Sequence, residues 1–383
     1  MEDKIERQLQ PKLRVLFTKF PVIFLTGPRQ SGKTTLSRTT FPNLPYFNLE
    51  DPSLRAIIME DPHGFLKQHK NGIIIDEAQN FPDIFSYIQI YADERNKTGQ
   101  YLLTGSQNFL LNEKISQTLS GRVGILELLP LAYSEMRQHY SCNLHDVIFK
   151  GCYPRLYNED ISPADFFSGY IRTYLERDVR QIKNISSLNQ FQKFLTLCAG
   201  RVGQIVNLSA LSDDCGLSVP TMKEWLSILE ASYVIYLLHP YSLNINKRMI
   251  KMPKIYFCDT GILCNLLGIK STNDLRTHFS YGSIFENFVI NEFLKAQYNR
   301  GERKNLYFLR DSKGHEIDCV IPSSGENLLY EIKSSSTFDK SFVKNILYYK
   351  EMDPGAKGFV IYDGDRSFEH LSARILPLLS VER

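Results

Sequence analysis

No stretch of this sequence approaches the roughly 18 consecutive apolar residues that a membrane-spanning helix needs. The first ten residues, MEDKIERQLQ, are charged where a secretion signal would be apolar. Membrane insertion and secretion are therefore not expected. Cysteine chemistry is sparse as well: seven cysteines are scattered without a CxxC pair or metal-ligand spacing, and their odd number does not fit a complete disulfide framework. A reducing cytoplasm is the expected location. Nor is there a surplus of charge of one sign. A formal net charge of +3 over 383 residues is too small to announce a nucleic-acid partner, so affinity for DNA or RNA has to be local. Internal repeats and low-complexity segments are missing too. What is present, 43% hydrophobic and 23% charged residues, is the composition of an ordinary globular protein, long enough for roughly two or three cores.

Three short aliphatic runs, Val22 to Leu25, Gly72 to Ile75 and Tyr101 to Leu103, alternate with longer amphipathic stretches in the first 135 or so residues. Strands that are apolar throughout are buried on both faces, so the pattern predicts a parallel sheet with crossover helices whose carboxyl ends line one crevice. From Leu131 to about Ile185 the chain reads as charged helix, a lid or linker, with arginines at 172, 177 and 180. Leu208 to Cys215, a Gly216 turn and Val219 to Ala231 then make a helix-turn-helix with Ser218 as N-cap and Trp225, Leu226 and Leu229 as core. Strands at Tyr233 to Leu238 and Lys254 to Phe257 would be the wings of a winged-helix domain. Beyond them the pattern predicts a helix (Ile284 to Gln297), strands at Asn305 to Arg310, Glu316 to Ile321 and Asn327 to Lys333, a helix (Asp339 to Lys350) and a strand (Gly358 to Tyr362).

Directly after the first apolar run stands Gly27-Pro28-Arg29-Gln30-Ser31-Gly32-Lys33-Thr34, followed by Thr35, which fits the phosphate-binding pattern GxxxxGK[ST] in the strand-loop-helix context that makes it informative. Glycines let backbone N–H groups wrap phosphate oxygens, and the helix beginning near Lys33 aims its positive end at them. Lys33 is expected to reach the β and γ phosphates of ATP and Thr34 to bind Mg2+. The second apolar run delivers Asp76, expected on the magnesium ion, and Glu77, expected to orient or deprotonate the attacking water. After the third run, Ser106 is a candidate to hold that water, with a helix N-cap as its equal alternative. Arg122 is a candidate arginine finger, and equally a solvent-facing arginine; an arginine acting across a subunit boundary would make the active form a homo-oligomer. A small-molecule kinase would use the same loop, but Glu77 beside Asp76 suits water and no acceptor-site signature is found.

The chain resembles the AAA-type branch of P-loop ATPases, and within it a prokaryotic family whose members carry a carboxyl-terminal domain of unknown function. The resemblance rests on TGPRQSGKTT, IIIDEAQ and LTGSQNFLL, and continues through YLERDVRQI, LLHPYSLNINKRMIKMPKIYFCDTGI and IFENFVINEF. It implies an α/β architecture: a P-loop NTPase parallel sheet with flanking helices, then a winged-helix domain, then a restriction-endonuclease-like α/β domain. The expected spans are 1–135, 136–186, 187–250 and 251–383. The resemblance names no substrate.

Read from the residues alone, the last span still collects Glu286 on a helix, Asp318 within a strand, and Glu331 and Lys333, which strand alternation puts on one face. Such a face can hold a divalent metal between Asp318 and Glu331 while Lys333 stabilises hydroxide or developing phosphate charge. An edge-strand charge pair is the plain alternative. The order Glu, Asp, Glu-x-Lys resembles the PD-(D/E)xK nucleases, with Ile317 in place of the proline and Glu286 as a further metal ligand. Arg300, Arg303, Lys304, Arg310 and Lys313 could track a phosphate backbone, and solvated loop charges would look the same. The second helix of the helix-turn-helix offers Lys223 but also Glu224 and Glu230, which favours a protein partner or interdomain packing over base reading.

Overall fold

The computed structural model describes residues 5–106, 118–175, 188–241 and 251–378. Two sheets organise it. The first has five strands in the order β2-β3-β4-β1-β5: β1 (Val22–Thr26), β2 (Tyr46–Asn48), β3 (Ile73–Asp76), β4 (Tyr101–Gly105) and β5 (Val123–Glu127). All its pairings are parallel. The aliphatic runs become β1, β3 and β4 because they can bury both faces. Val22, Phe24, Ile73, Ile75, Tyr101 and Leu103 enter one core, while Ile23, Leu25, Ile74 and Leu102 enter the other. Each such side chain contributes roughly 1.5–3 kcal/mol of transfer free energy. The order sets β4 between β1, which leads into the phosphate loop, and β3, which ends at Asp76. All three therefore open onto one crevice.

Helices Leu208–Cys215 and Val219–Ala231 have the expected bounds, joined across Gly216 at φ 67°. Ser218 caps the second by accepting the N–H of Thr221 at 3.3 Å. Trp225 packs edge-on against Phe191 and Phe194 with centroids 5.3 and 5.4 Å away, so it is core as expected. The strands read as wings form an antiparallel hairpin, β6 (Ile235–Pro240) with β7 (Lys254–Phe257). This hairpin is not free-standing: β6 pairs in parallel with β8 (Tyr307–Arg310). It thereby becomes one edge of an eight-stranded sheet, ordered β12-β13-β11-β10-β9-β8-β6-β7, and it straddles residues 250 and 251.

The rest of that sheet is β9 (Glu316–Ser323), β10 (Glu326–Lys333), β11 (Lys357–Tyr362), β12 (Phe368–His370) and β13 (Ala373–Pro377). Helix Tyr281–Asn299 covers one face, and a short 3-10 turn, Lys340–Val343, leads into helix Lys344–Lys350 on the other. The long helix also reaches the first sheet's half of the molecule. Glu292 Oε2 accepts the N–H of Tyr133 at 2.7 Å, and Lys295 Nζ donates to Leu131 O at 2.8 Å and to Glu292 Oε1 at 2.7 Å. Both side chains are buried, so each needs these partners to offset its lost hydration. Among the described residues no helix is long and apolar enough to cross a membrane.

Candidate active site

Gly27 leaves β1 at φ 148°, and a Cβ there would lie 2.2 Å from the carbonyl oxygen of Leu128, so only glycine fits. Gly32 is left-handed at φ 95° and starts helix Lys33–Thr40, which directs its N-terminal N–H groups into the loop. Lys33 is buried and donates to the carbonyls of Gly27 at 3.0 Å and Pro28 at 2.7 Å. Burial, partly offset by Glu77 and Asp76, brings its ammonium down to about 8. Ser31 Oγ is fully buried and among the described residues has no hydrogen-bond partner, a hydroxyl left for an anion in the loop. These features fit a polyphosphate.

Asp76 is buried at the end of β3 and faces three neutral donors. Its Oδ2 accepts the hydroxyls of Thr34 at 2.7 Å and Tyr46 at 2.6 Å, and its Oδ1 accepts that of Thr104. Burial, then the bond to Asp76, holds the Tyr46 phenol well above its ordinary range. A carboxylate and a threonine hydroxyl this close fit Mg2+, which takes few protein oxygens. Glu77 sits next, in the left-handed region at φ 53°, a conformation that costs a non-glycine residue free energy and aims its side chain away from the strand. The amide of Gln79 bridges Glu77 and Ser106, reaching Ser106 Oγ at 3.2 Å. Beside the loop lies a cavity of about 340 Å3, lined in part by Arg7, Gly32, Thr35, Leu131, Pro154 and Asn158. Arg7 is buried there, donating to Ser31 O and Leu129 O, each at 2.7 Å, and pairing with Glu135 at 3.1 Å.

The carboxyl-terminal carboxylates also come together. Lys333 Nζ lies 2.5 Å from Glu331 Oε2 and 3.4 Å from Asp318 Oδ2. Burial and the nearby charge of Asp318 push Glu331 up to about 8, and burial pushes Glu286 up to about 6. Glu286 does not face a free metal position: Lys254 Nζ stands 3.3 Å from its Oε1, and the Tyr256 hydroxyl bonds the same oxygen. Among the described residues no three His, Cys, Asp or Glu side chains are disposed to hold a metal ion. Glu286, Asp318 and Glu331, expected as metal ligands, have ammonium groups beside them: Lys254 at Glu286, and Lys333 at Asp318 and Glu331.

Residues 19–137 match the family described as AAA domain, and residues 142–273 and 281–381 match two domains of unknown function, DUF8612 and DUF4143. An uncharacterised protein of Mycobacterium tuberculosis is 32% identical over 337 residues, covering 86% of this chain and 74% of that protein. The chain belongs to this family of AAA-domain proteins. A Haemophilus influenzae protein is 23% identical over 380 residues, 90% of either chain. Of solved structures, a Walker-type ATPase of Pyrococcus abyssi matches with a TM-score of 0.48 at 14% identity, over 70% of this chain and 97% of that one.

In this AAA-domain chain the sequence-expected residues Gly27 to Thr35, Asp76, Glu77 and Ser106 meet at one crevice. Arg122 does not join them. It precedes β5, and its carbonyl accepts the N–H of Val22 at the amino end of β1, the sheet edge opposite the phosphate loop. There it pairs with Asp93, its Nη2 2.9 Å from Oδ2. Within one chain Arg122 thus lies away from the phosphate loop, on the solvent-exposed side of the fold. Of the expected phosphate-tracking residues, Arg300 pairs with Glu302 and Arg310 with Glu316, each at 2.9 Å, while Lys304 donates to Leu237 O at 3.0 Å. Arg177 and Arg180 lie outside the described residues. Arg7, Tyr46 and Lys254 carry no local pattern that marks them as site residues in the sequence, whereas Thr104 stands among the small polar residues that end the third apolar run and Gln79 closes the IIIDEAQ motif.

Proposed function

We propose that this chain is a magnesium-dependent ATPase, working in the cytoplasm, whose turnover is transmitted to a winged-helix and nuclease-like carboxyl-terminal half that acts on or with nucleic acid. The observation that supports it most is Asp76: a buried carboxylate that accepts the hydroxyls of Thr34 at 2.7 Å, Tyr46 and Thr104, with Glu77 beside it. Bound Mg2+ would supply charge neutralisation for the phosphates. Lys33 and the N–H groups of Arg29 to Thr35 hold the β and γ phosphates, and the cavity beside Arg7 takes the nucleoside. Glu77 orients the attacking water and accepts its proton at the carboxylate, with Gln79 and Ser106 fixing its rotamer. The Glu292 and Lys295 contacts to the main chain at Leu131 and Tyr133 are the route by which a shift in the ATPase half reaches the second sheet. An arginine for the γ phosphate would come from a second copy.

A second reading, a nucleotide-regulated switch that grips a protein partner, draws on the internal pairing of Arg300 and Arg310 and on Glu224 and Glu230 in the second helix of the pair. Magnesium-dependent ATP hydrolysis, measured with and without duplex and single-stranded DNA, separates the two. DNA-stimulated turnover that Lys33→Ala abolishes is the expected result; turnover indifferent to DNA would leave the switch, and no turnover by folded, nucleotide-bound protein would overturn the ATPase assignment.

A further inference from the structure

We infer that the ammonium of Lys254 takes the place of a metal ion in the carboxyl-terminal carboxylate cluster, so that this nuclease-like module grips without cutting. The inference rests on reading that module as nuclease-like. Four carboxylates converge there: Glu286 from helix Tyr281–Asn299, Glu316 and Asp318 from β9, and Glu331 from β10. Lys254 enters from β7, the edge strand of the same sheet, and is 2% exposed. Its amine pairs with Glu286 and with Glu316. Further oxygens of the cluster also meet donors. Arg310 Nη1 lies 2.9 Å from Glu316 Oε2, Asn345 Nδ2 3.0 Å from Glu331 Oε1, and the N–H of Ile332 2.7 Å from Asp318 Oδ2. Lys333 spans Glu331 and Asp318.

Buried carboxylates persist only when paired. Here Lys254, Lys333 and Arg310 set three cations among four anions, which removes most of the charge a divalent cation would seek. An entering dication would meet Lys254 at contact range, and two charges of one sign there repel by several kcal/mol even at the high effective dielectric of real proteins. The main chain that carries Lys254 is held in place. Its backbone is paired on both sides, with Leu238 in β6 and with Ile205. The lysine is thus a resident cation, delivered by the hairpin that forms one edge of the eight-stranded sheet.

Mn2+ titrated into the full chain without nucleotide, with bound ion read by electron paramagnetic resonance, tests this. Wild type should show no Asp318-dependent site at micromolar Mn2+. Lys254→Met should gain one, tighter by at least about a hundredfold, given the repulsion removed, and the double variant with Asp318→Asn should lose it. Tight binding by wild type that Asp318→Asn abolishes would overturn the inference while leaving the nuclease-like reading intact. A folded Lys254→Met chain that gains no site would overturn both, since the carboxylates would then not form a cation cradle at all. Should Lys254→Met not fold, the comparison of wild type with Asp318→Asn still decides.

Discussion

Asp76 and Asp318 are both buried acids on strands, each within reach of a lysine that the sequence associates with phosphate, yet their surroundings have opposite electrical character. Around Asp76 the donors are hydroxyls of Thr34, Tyr46 and Thr104, and Lys33 turns to backbone carbonyls instead. Around Asp318 and its neighbours the donors include Lys254, Lys333 and Arg310. A hydroxyl satisfies a carboxylate's hydrogen-bonding needs and leaves its charge in place. An ammonium satisfies both. Burial therefore creates demand for a cation at the first site and quenches it at the second, although a list of residues would score the two alike.

The comparison can be broken most forcefully at Glu77. Glu77→Gln should lower ATP turnover by about a hundred- to ten-thousandfold, the range for loss of a general base, while equilibrium binding of ATP survives; turnover near wild type would remove Glu77 from the chemistry. Tyr46→Phe probes whether hydroxyls hold Asp76 ready. Loss of such a ligand-orienting bond typically weakens metal binding by about ten- to a hundredfold, so the Mg2+ needed for half-maximal nucleotide binding should rise accordingly. Lys33 offers a test by pH. Its ammonium is lowered to about 8, so above that pH the lysine is increasingly neutral, whereas bound phosphate favours the charged form. Nucleotide binding should take up a proton and weaken roughly tenfold per pH unit above 8, as calorimetry in buffers of differing ionisation enthalpy would show. The smallest effect belongs to Arg122→Ala, which breaks an exposed ion pair on the far edge of the sheet and should leave turnover within about twofold of wild type.

Legibility followed contiguity. The phosphate loop occupies consecutive residues after an apolar strand, and Asp76 and Glu77 end a second one, so strand, turn and chemistry could be read together. Tyr46 reaches the same carboxylate from a strand of only three residues, too short for any periodicity to mark. Arg122 was misplaced because distance along the chain does not tell which end of a strand a residue flanks. It stands before β5, whereas the chemistry gathers after the strands. In the carboxyl-terminal half the spacing of Asp318, Glu331 and Lys333 was readable from strand alternation. Lys254 was not, because its strand was assigned to the wings. The join that brings it in, β6 to β8, rests on two paired positions, His239 with Tyr307 and Pro240 with Phe308, and a parallel contact between segments so far apart in sequence leaves no local pattern.

The buried pair Glu292 and Lys295 has a bearing on how such a chain can be taken apart. Both side chains belong to the segment matched as DUF4143, yet what they serve is main chain in the segment matched as AAA domain. An ATPase half excised at residue 137 would carry away a carbonyl at Leu131 and an N–H at Tyr133 whose counterparts stayed behind, and the severed helix would keep an acid and a base facing an open apolar wall. Cut-and-paste exchange of either half with a distant relative would meet the same mismatch unless both sides of the joint travelled together.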